Sequence, residues 1–218
     1  MSSKSSRRPR LRLALWLLAA GTGLGLFFAG AYRNLPLGWI GTVLFIAAVW
    51  YAYGVVIGGP RDEAELEVPA AEWQAWLGAV FLAVVLALLL SGLPQFNQPL
   101  PISRNPDLRG LGFPVGACFV AWALLSHALR TRWLPQVQED EFDRRIQQQA
   151  QAWGSAASGL LIVAVAVTLG FSEPAWLAKY HPAFWAQLLM LTLVVGALVQ
   201  HLGVAGLYAR ERHASPAP

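Results

Sequence analysis

Six long windows that contain no charged residue constrain this chain more than any other feature of its sequence. All 16 Lys and Arg and all 12 Asp and Glu residues of the 218-residue chain lie outside these windows. Each window holds about 20 residues or more, which is enough helix to cross a hydrocarbon core roughly 30 Å thick. The windows cover residues 13–32, 34–60, 73–103, 110–129, 146–172 and 180–209.

The composition agrees with a membrane protein rather than a soluble one. Hydrophobic residues make up 56% of the chain and charged residues only 13%, whereas a soluble domain carries about 25% charged residues. Helices of a soluble protein also need a polar face, which these windows lack. The sequence therefore predicts an all-α, polytopic membrane protein, a bundle of six transmembrane helices within residues 11–209. The predicted helices cover about 11–31, 36–57, 69–93, 114–133, 138–171 and 182–208.

Basic residues are distributed unequally between the segments that flank these helices. A basic N-terminus, residues 1–12, precedes the first helix, and a short tail, residues 210–218, follows the last. With both termini in the cytoplasm, 12 Lys and Arg residues lie inside and 4 lie outside, in agreement with the positive-inside rule. The sequence predicts this N-in/C-in topology in a bacterial inner membrane, with the lipid bilayer as partner. Because the basic residues flank spans and form no patch, nucleic acid is not expected as a partner.

The densest charged segment outside the N-terminus is the collar, Gln138–Trp153, which enters the predicted fifth helix. Acidic residues in its first turn complement the positive end of the helix dipole. Asp140 and Arg144, and likewise Glu141 and Arg145, have the i,i+4 spacing that favours ion pairs within a helix. The pattern predicts a helix that continues from the collar into the bilayer. Two interpretations stay open: a self-paired, solvated helix entry, or a docking surface for a protein partner. The candidate docking residues are Asp140, Glu141, Asp143, Arg144 and Arg145.

Two other loops have distinctive compositions. The predicted inner loop Arg61–Glu72 is acidic and is a second candidate for partner docking. The predicted outer loop Pro94–Arg109 contains four prolines. Because a proline disfavours helix at the residue before it, this loop is expected to follow an extended, irregular path.

A few polar residues lie inside the predicted spans, where burial is costly and a function is a reasonable hypothesis. His127 and His201 have comparable predicted depth, and neutral imidazole suits haem or metal ligation. Ser158 and His201, on consecutive predicted helices, loosely resemble the serine–histidine pair of rhomboid intramembrane proteases, although the full G-x-S-G motif is absent. Gly154 and Ser158 also have the small-xxx-small spacing that lets helices approach closely. The other small residues with a predicted packing role are Ser155, Gly159, Gly203 and Gly206.

The collar also resembles a motif of a known group of proteins. Asp140–Ile146 reads D-E-F-D-R-R-I. It is similar to the D-E-[F/L]-x-R-R-I segment that precedes a transmembrane helix in small uncharacterised bacterial inner-membrane proteins. The resemblance covers at most the C-terminal half of the chain. It implies a helical bundle in the inner membrane, and it implies no reaction.

These observations predict a non-enzymatic membrane protein that acts as a scaffold, or as a regulatory or accessory subunit, through its charged cytoplasmic loops. No cofactor, metal site or catalytic residue is predicted. The single Cys118 excludes an intramolecular disulfide and a cysteine-based metal cluster. One alternative is a small-solute transporter or a haem- or metal-binding protein that uses His127 and His201. Another is an intramembrane hydrolase that uses Ser158 and His201.

Overall fold

The computed structural model of the chain describes residues 70–98, 104–132 and 141–214, together with separate positions between 15 and 54. These residues are almost entirely helical, and no strand occurs among them. The predicted all-α class is therefore confirmed for the described part of the chain. Only scattered helical positions are described within the predicted spans 11–31 and 36–57, and residues 61–69 of the acidic loop lie outside the described residues.

Four long helices and two short ones occur over the described ranges. Proline stands in the first turn of several of them, where its missing N–H group has no intrahelical partner to lose. The helices are α1 (Ala70–Ser91), α2 (Leu93–Phe96), α3 (Pro106–Arg132), α4 (Glu141–Phe171), α5 (Pro174–Leu177) and α6 (Pro182–Ala214).

Among the described residues, three helices are long and apolar enough to cross a membrane. They are Ala71–Ser91 in α1, Glu141–Phe171 in α4 and Pro182–Glu211 in α6. Helix α3 contributes a shorter apolar segment, Cys118–Leu129. The chain thus has the helical, membrane-compatible character that its uncharged windows predict.

The proline-rich connection between α1 and α3 is more ordered than its sequence predicts. Helix α2 occupies its beginning, and α3 starts at Pro106 rather than near Pro114. Asn105 precedes this proline, and its Oδ1 atom accepts a hydrogen bond from the Leu108 N–H group at 3.3 Å, as an N-cap residue does. The expectation of an irregular path is therefore wrong at both ends of Pro94–Arg109, because prolines here begin helices instead of breaking them.

The chain divides into two compact units. One unit consists of Met1–Ala70 and Leu124–Val137, and the other consists of Ala71–Ala123 and Gln138–Pro218. The second is called the collar unit below, because it contains the collar. It also contains nearly all of α1, all of α2, the first part of α3, and α4 to α6.

Helices α4 and α6 run antiparallel and form the most extensive contact between described helices. Gly154 and Gly196 lie at this contact. A Cβ atom on Gly154 would be 2.6 Å from the Gly196 carbonyl oxygen, and one on Gly196 would be 2.8 Å from the Gly154 carbonyl oxygen. The Ser158 hydroxyl lies against Gly196 and donates to the Gly154 carbonyl oxygen at 3.1 Å. The packing role predicted for Gly154 and Ser158 is confirmed, since such small residues let membrane helices approach closely.

Of the other small residues with a predicted packing role on these two helices, one packs at the helix contact and three are exposed. A Cβ atom on Gly203 would be 3.2 Å from the Cβ atom of Ala150, so Gly203 belongs to the helix contact. Ser155, Gly159 and Gly206 are exposed, and a Cβ atom on either glycine would meet nothing within 4 Å. They take no part in the described contact between α4 and α6. Ser155 and Gly159 each follow a residue of the contact row by one position, so they point about 100° away from it on a helix of 3.6 residues per turn.

Candidate functional site

The polar start of α4 extends the helix pair beyond its apolar part. Helix α4 contains 31 residues and is therefore about 46 Å long, roughly 16 Å longer than a hydrocarbon core of about 30 Å. The excess length matches Glu141–Gln151, the polar part of the helix. Helix α6, with 33 residues, is long enough to accompany it. The described part of the collar is thus a continuous helical extension of α4 and not a loop.

Small and apolar residues attach this extension to α6. Ile146 and Ala150 are the buried hydrophobic residues of the collar, with exposures of 5% and 0%. Ala150 lies against Gly203 of α6. These two collar residues are four positions apart, so they lie on one face of the helix. The face that they define is directed at α6.

A polar contact attaches the same face of the collar to α6, about one turn nearer the start of α4. The Tyr208 hydroxyl of α6 donates a hydrogen bond to Oδ1 of Asp143 at 2.5 Å. The Tyr208 ring meets the Phe142 ring edge to face, with their centroids 6.2 Å apart. Asp143, one of the predicted docking residues, is half-buried and contributes to the attachment of the collar. The end of the α4–α6 pair at Asp143 and Tyr208 is called the collar end, and the opposite end, at Phe171 and Pro182, is called the loop end.

The opposite face of the collar carries exposed polar side chains at helical spacing. This collar face consists of Glu141, Arg144, Arg145 and Gln148, all of which are exposed. Arg145 and Glu141 form the predicted i,i+4 ion pair at 3.9 Å, with side chains 81% and 88% exposed. An ion pair so exposed to solvent contributes little to stability. The predicted Asp140–Arg144 pair lies outside the described residues, because Asp140 does.

The end of the acidic loop is buried. Glu72 lies in the first turn of α1 and has an exposure of 0%, and the Trp76 indole N–H donates to its Oε1 atom at 3.4 Å. The candidate docking loop Arg61–Glu72 therefore ends in a buried residue that is not exposed to a partner. Its carboxylate also lies at the positive end of the helix dipole, which favours a negative charge.

His201 has a packing environment inside the collar unit. A Cβ atom on Gly78 of α1 would be 2.5 Å from Cε1 and Nδ1 of His201, so the imidazole fills the space that Gly78 leaves. The Trp122 ring of α3 meets the imidazole edge to face at 5.9 Å. The same residues line a cavity of about 140 Å³, together with Cys118. Typical ligand sites have about 300–1,000 Å³, so this cavity is small for a cofactor.

His127 lies in the other unit and is exposed on α3. Its carbonyl oxygen accepts a hydrogen bond from the Thr131 hydroxyl at 2.9 Å. No group of three or more His, Cys, Asp or Glu residues that could hold a metal ion occurs in the part of the chain that the structure describes. Haem or metal ligation by His127 and His201 stays a prediction.

Ser158 and His201, the residues of the hydrolase alternative, face different neighbours. The Ser158 hydroxyl lies in the contact between α4 and α6, against Gly196, and donates to its own helix. The His201 ring lies against Gly78 of α1. The structure therefore brings Ser158 to one side of α6 and the imidazole to another. The Ser158 hydroxyl and the His201 imidazole are therefore not hydrogen-bonded to each other.

The loop end contains a polar and aromatic network that sequence reasoning missed. The Asn97 side chain donates from Nδ2 to the Lys179 carbonyl oxygen at 3.3 Å, and its Oδ1 atom accepts from the His181 N–H group at 2.8 Å. These contacts join segments more than 80 residues apart, and no local sequence signal pairs such segments. Beside them lies a cluster of aromatic rings with centroids 4.8–6.0 Å apart. The cluster consists of Trp176, Tyr180, Phe184 and Trp185.

Comparison of the chain with protein-family models, with curated proteins and with solved structures found no match. The resemblance carried by the D-E-F-D-R-R-I segment of the collar therefore stays a prediction.

Proposed function

We propose that this chain is an integral, multi-pass protein of a bacterial inner membrane, with six spans and both termini in the cytoplasm. The six uncharged windows support the number of spans, and the three long apolar helices support a multi-pass protein. The excess of basic residues in the segments assigned to the inside supports the orientation. In this orientation the collar end of the α4–α6 pair faces the cytoplasm.

Its role is that of a non-enzymatic scaffold, or of a regulatory or accessory subunit, which binds a protein partner through the collar. One observation carries this proposal: the described part of the collar, from Glu141, is helical, and one of its faces is attached to α6 while the collar face stays exposed. A surface that is already ordered binds with a smaller entropic cost than a loop that must fold on binding. The exposed Arg144 and Arg145 beside Glu141 supply charges that select and orient a partner.

The docking surface is narrower than the sequence alone suggests. Asp143 is half-buried and holds Tyr208, so it supports the collar instead of facing the partner. Glu72 is buried, so it is not part of an exposed docking surface either. We therefore place partner recognition on Glu141, Arg144, Arg145 and Gln148.

Site-specific photo-crosslinking tests this role. A photoreactive residue at Gln148, on the collar face, is compared in living cells with one at Val163, which is exposed on the apolar part of the same helix. We expect a discrete protein adduct from position 148 and only lipid or diffuse products from position 163. The double change Arg144→Glu and Arg145→Glu is expected to abolish the adduct while the amount of membrane-inserted protein is unchanged.

Two results would contradict this role. The first is an adduct at position 148 that is equally abundant after reversal of both arginine charges. The second is a Soret band in the absorption spectrum of the purified protein that His201→Ala removes, because it would establish haem ligation at a residue to which the scaffold role assigns only packing.

A further inference from the structure

An apolar groove of about 500 Å³ runs along the loop end of the collar unit. Its walls come from α1, α4 and α6, the three helices that are long and apolar enough to cross a membrane. Its volume falls in the range of about 300–1,000 Å³ that is typical of ligand sites. The groove is therefore at membrane depth and large enough for a ligand.

The walls of this groove suit a hydrocarbon chain of a ligand, which carries no polar group. Side chains such as Leu86, Leu161 and Leu191 line it, and its two threonines are Thr168 and Thr192. The Thr168 hydroxyl donates to the Ala164 carbonyl oxygen at 2.8 Å, and the Thr192 hydroxyl donates to the Leu189 carbonyl oxygen at 2.7 Å. Both hydroxyl protons are thus used within their own helices. A polar solute would lose its hydration in this groove without forming hydrogen bonds to the two threonine hydroxyl groups.

The length of the groove matches one leaflet of a bilayer. Along α6 the lining extends from Phe184 to Val195, which is about 16 Å of helix at 1.5 Å per residue. Half of a hydrocarbon core roughly 30 Å thick is about 15 Å. The groove therefore has the length of one extended acyl chain in one leaflet.

The mouth of the groove suits a headgroup. Trp176, Tyr180 and Trp185 line it at the loop end, and such rings favour the level of the lipid headgroups. Lys179 is exposed beside Tyr180, and its carbonyl oxygen is held by Asn97. Lys179 does not line the groove, but it gives the segment that forms the mouth an exposed cation.

We infer that this groove binds one phospholipid, with an acyl chain along the walls and its phosphate at Lys179. This site is independent of the docking role of the collar, because it lies at the opposite end of the α4–α6 pair. Leucine-rich walls, self-bonded threonines, leaflet length and a cation at an aromatic mouth all fit an amphiphile with a long apolar chain. They fit neither a sugar nor an ion.

Native mass spectrometry of the detergent-purified chain tests the inference, with added phosphatidylglycerol as the probe. Ala164→Trp places an indole in the groove from an exposed position, and Leu90→Trp does so from α1. Ala166→Trp is the matched control, because Ala166 is exposed on α4 but does not line the groove. We expect the wild type and Ala166→Trp to hold one phospholipid per chain, and each groove variant to bind it roughly tenfold more weakly, a loss of about 1.4 kcal/mol.

Three results would overturn the inference. One is equal phospholipid occupancy in all four proteins. Another is a bound species without phosphate, such as a free fatty acid, because the mouth would then hold no headgroup. The last is a change of oligomeric state: the wild type is a dimer, and either groove variant is a monomer that still binds phospholipid. A second copy of the chain would then cover the groove in the wild type.

Discussion

Tyr208 of α6 donates a hydrogen bond to Asp143 of α4 across 65 residues of sequence. The contact lies in the polar first turns of α4, and it is the polar counterpart of the apolar contacts at Ile146 and Ala150. The bond therefore helps to determine whether the first turns of α4 stay attached to α6.

Tyr208→Phe is expected to loosen the collar without unfolding the protein. The variant loses the hydrogen bond to Asp143 but keeps the ring that meets Phe142. A loss of about 1 kcal/mol corresponds to about fivefold faster trypsin cleavage after Arg144 and Arg145, since cleavage follows the opened population. Tyr180→Phe, at the loop end, is the matched control and is expected to leave the cleavage rate unchanged. Equal cleavage rates in the wild type and Tyr208→Phe would show that the bond does not hold the collar.

Gly154→Ala is expected to destabilise the α4–α6 pair, because the new methyl group would meet the Gly196 backbone at 2.6 Å. Overpacking of this kind costs about 1–3 kcal/mol, and a backbone carbonyl cannot rotate away as a side chain can. Gly159→Ala on the same helix meets nothing within 4 Å and gains helix propensity. Thermal unfolding in detergent is expected to show a lower Tm for Gly154→Ala and an unchanged or higher Tm for Gly159→Ala. The reverse order would refute the described contact.

The pair Gly196 and Gly206 gives an independent test from the side of α6. A Cβ atom on Gly196 would meet the Gly154 carbonyl oxygen at 2.8 Å, whereas one on Gly206 would meet nothing within 4 Å. We expect Gly196→Ala to lower the Tm and Gly206→Ala to leave it unchanged or raise it. If both alanines have the same effect, then α6 does not present Gly196 to α4.

A double-mutant cycle tests whether His201 packs against Gly78. In the wild type, Gly78→Ala forces the imidazole to move, because the new methyl group would lie 2.5 Å from its ring atoms. In a His201→Ala background the space is free, and Gly78→Ala is expected to have almost no effect. The expected coupling free energy is about 1 kcal/mol, as is usual for side chains in contact. A coupling near zero would remove the packing role and leave the ring available for another function.

Gln187→Leu is expected to stabilise the protein. Gln187 has an exposure of 6%, and within the described part of the chain its Nε2 atom has no hydrogen-bond partner. A buried polar group without a partner costs about 1–3 kcal/mol, and leucine removes that group while it keeps much of the volume. A rise in Tm is the expected result. Gln200→Leu, at the contact with Gly154, is the comparison, and a fall in Tm for Gln187→Leu would indicate that the amide has a partner.

The sequence predicts the class of structure well, because class follows from where charges are absent. Helices such as α1 and α6 are apolar on every side, and no arrangement of residues 180–209 provides a polar face for water. The ion pair between Glu141 and Arg145 is also predictable, since i,i+4 spacing is a local property of one helix. Gly154 and Ser158 follow from the small-xxx-small pattern for the same reason.

What the sequence leaves open is which face of each helix meets which neighbour. The same pattern favours Ser155 and Gly159 as much as Gly154 and Ser158, and only the position of α6 selects between them. Likewise, the prolines of Pro94–Arg109 suggest an irregular loop, although Asn105 and Pro106 together form the start of α3. The links from Asn97 to Lys179 and His181 depend on tertiary structure alone.

Labelling of introduced cysteines by a membrane-impermeant maleimide tests the central claim most directly: that α4 crosses the membrane and presents the collar to the cytoplasm. In a Cys118→Ser background, single cysteines replace Gln148 of the collar and Ala178 beyond α4, both of which are exposed. We predict that intact cells whose outer membrane has been permeabilised label Ala178→Cys, and that Gln148→Cys reacts only in inverted inner-membrane vesicles. Labelling of both positions from the same side of the membrane would contradict the account.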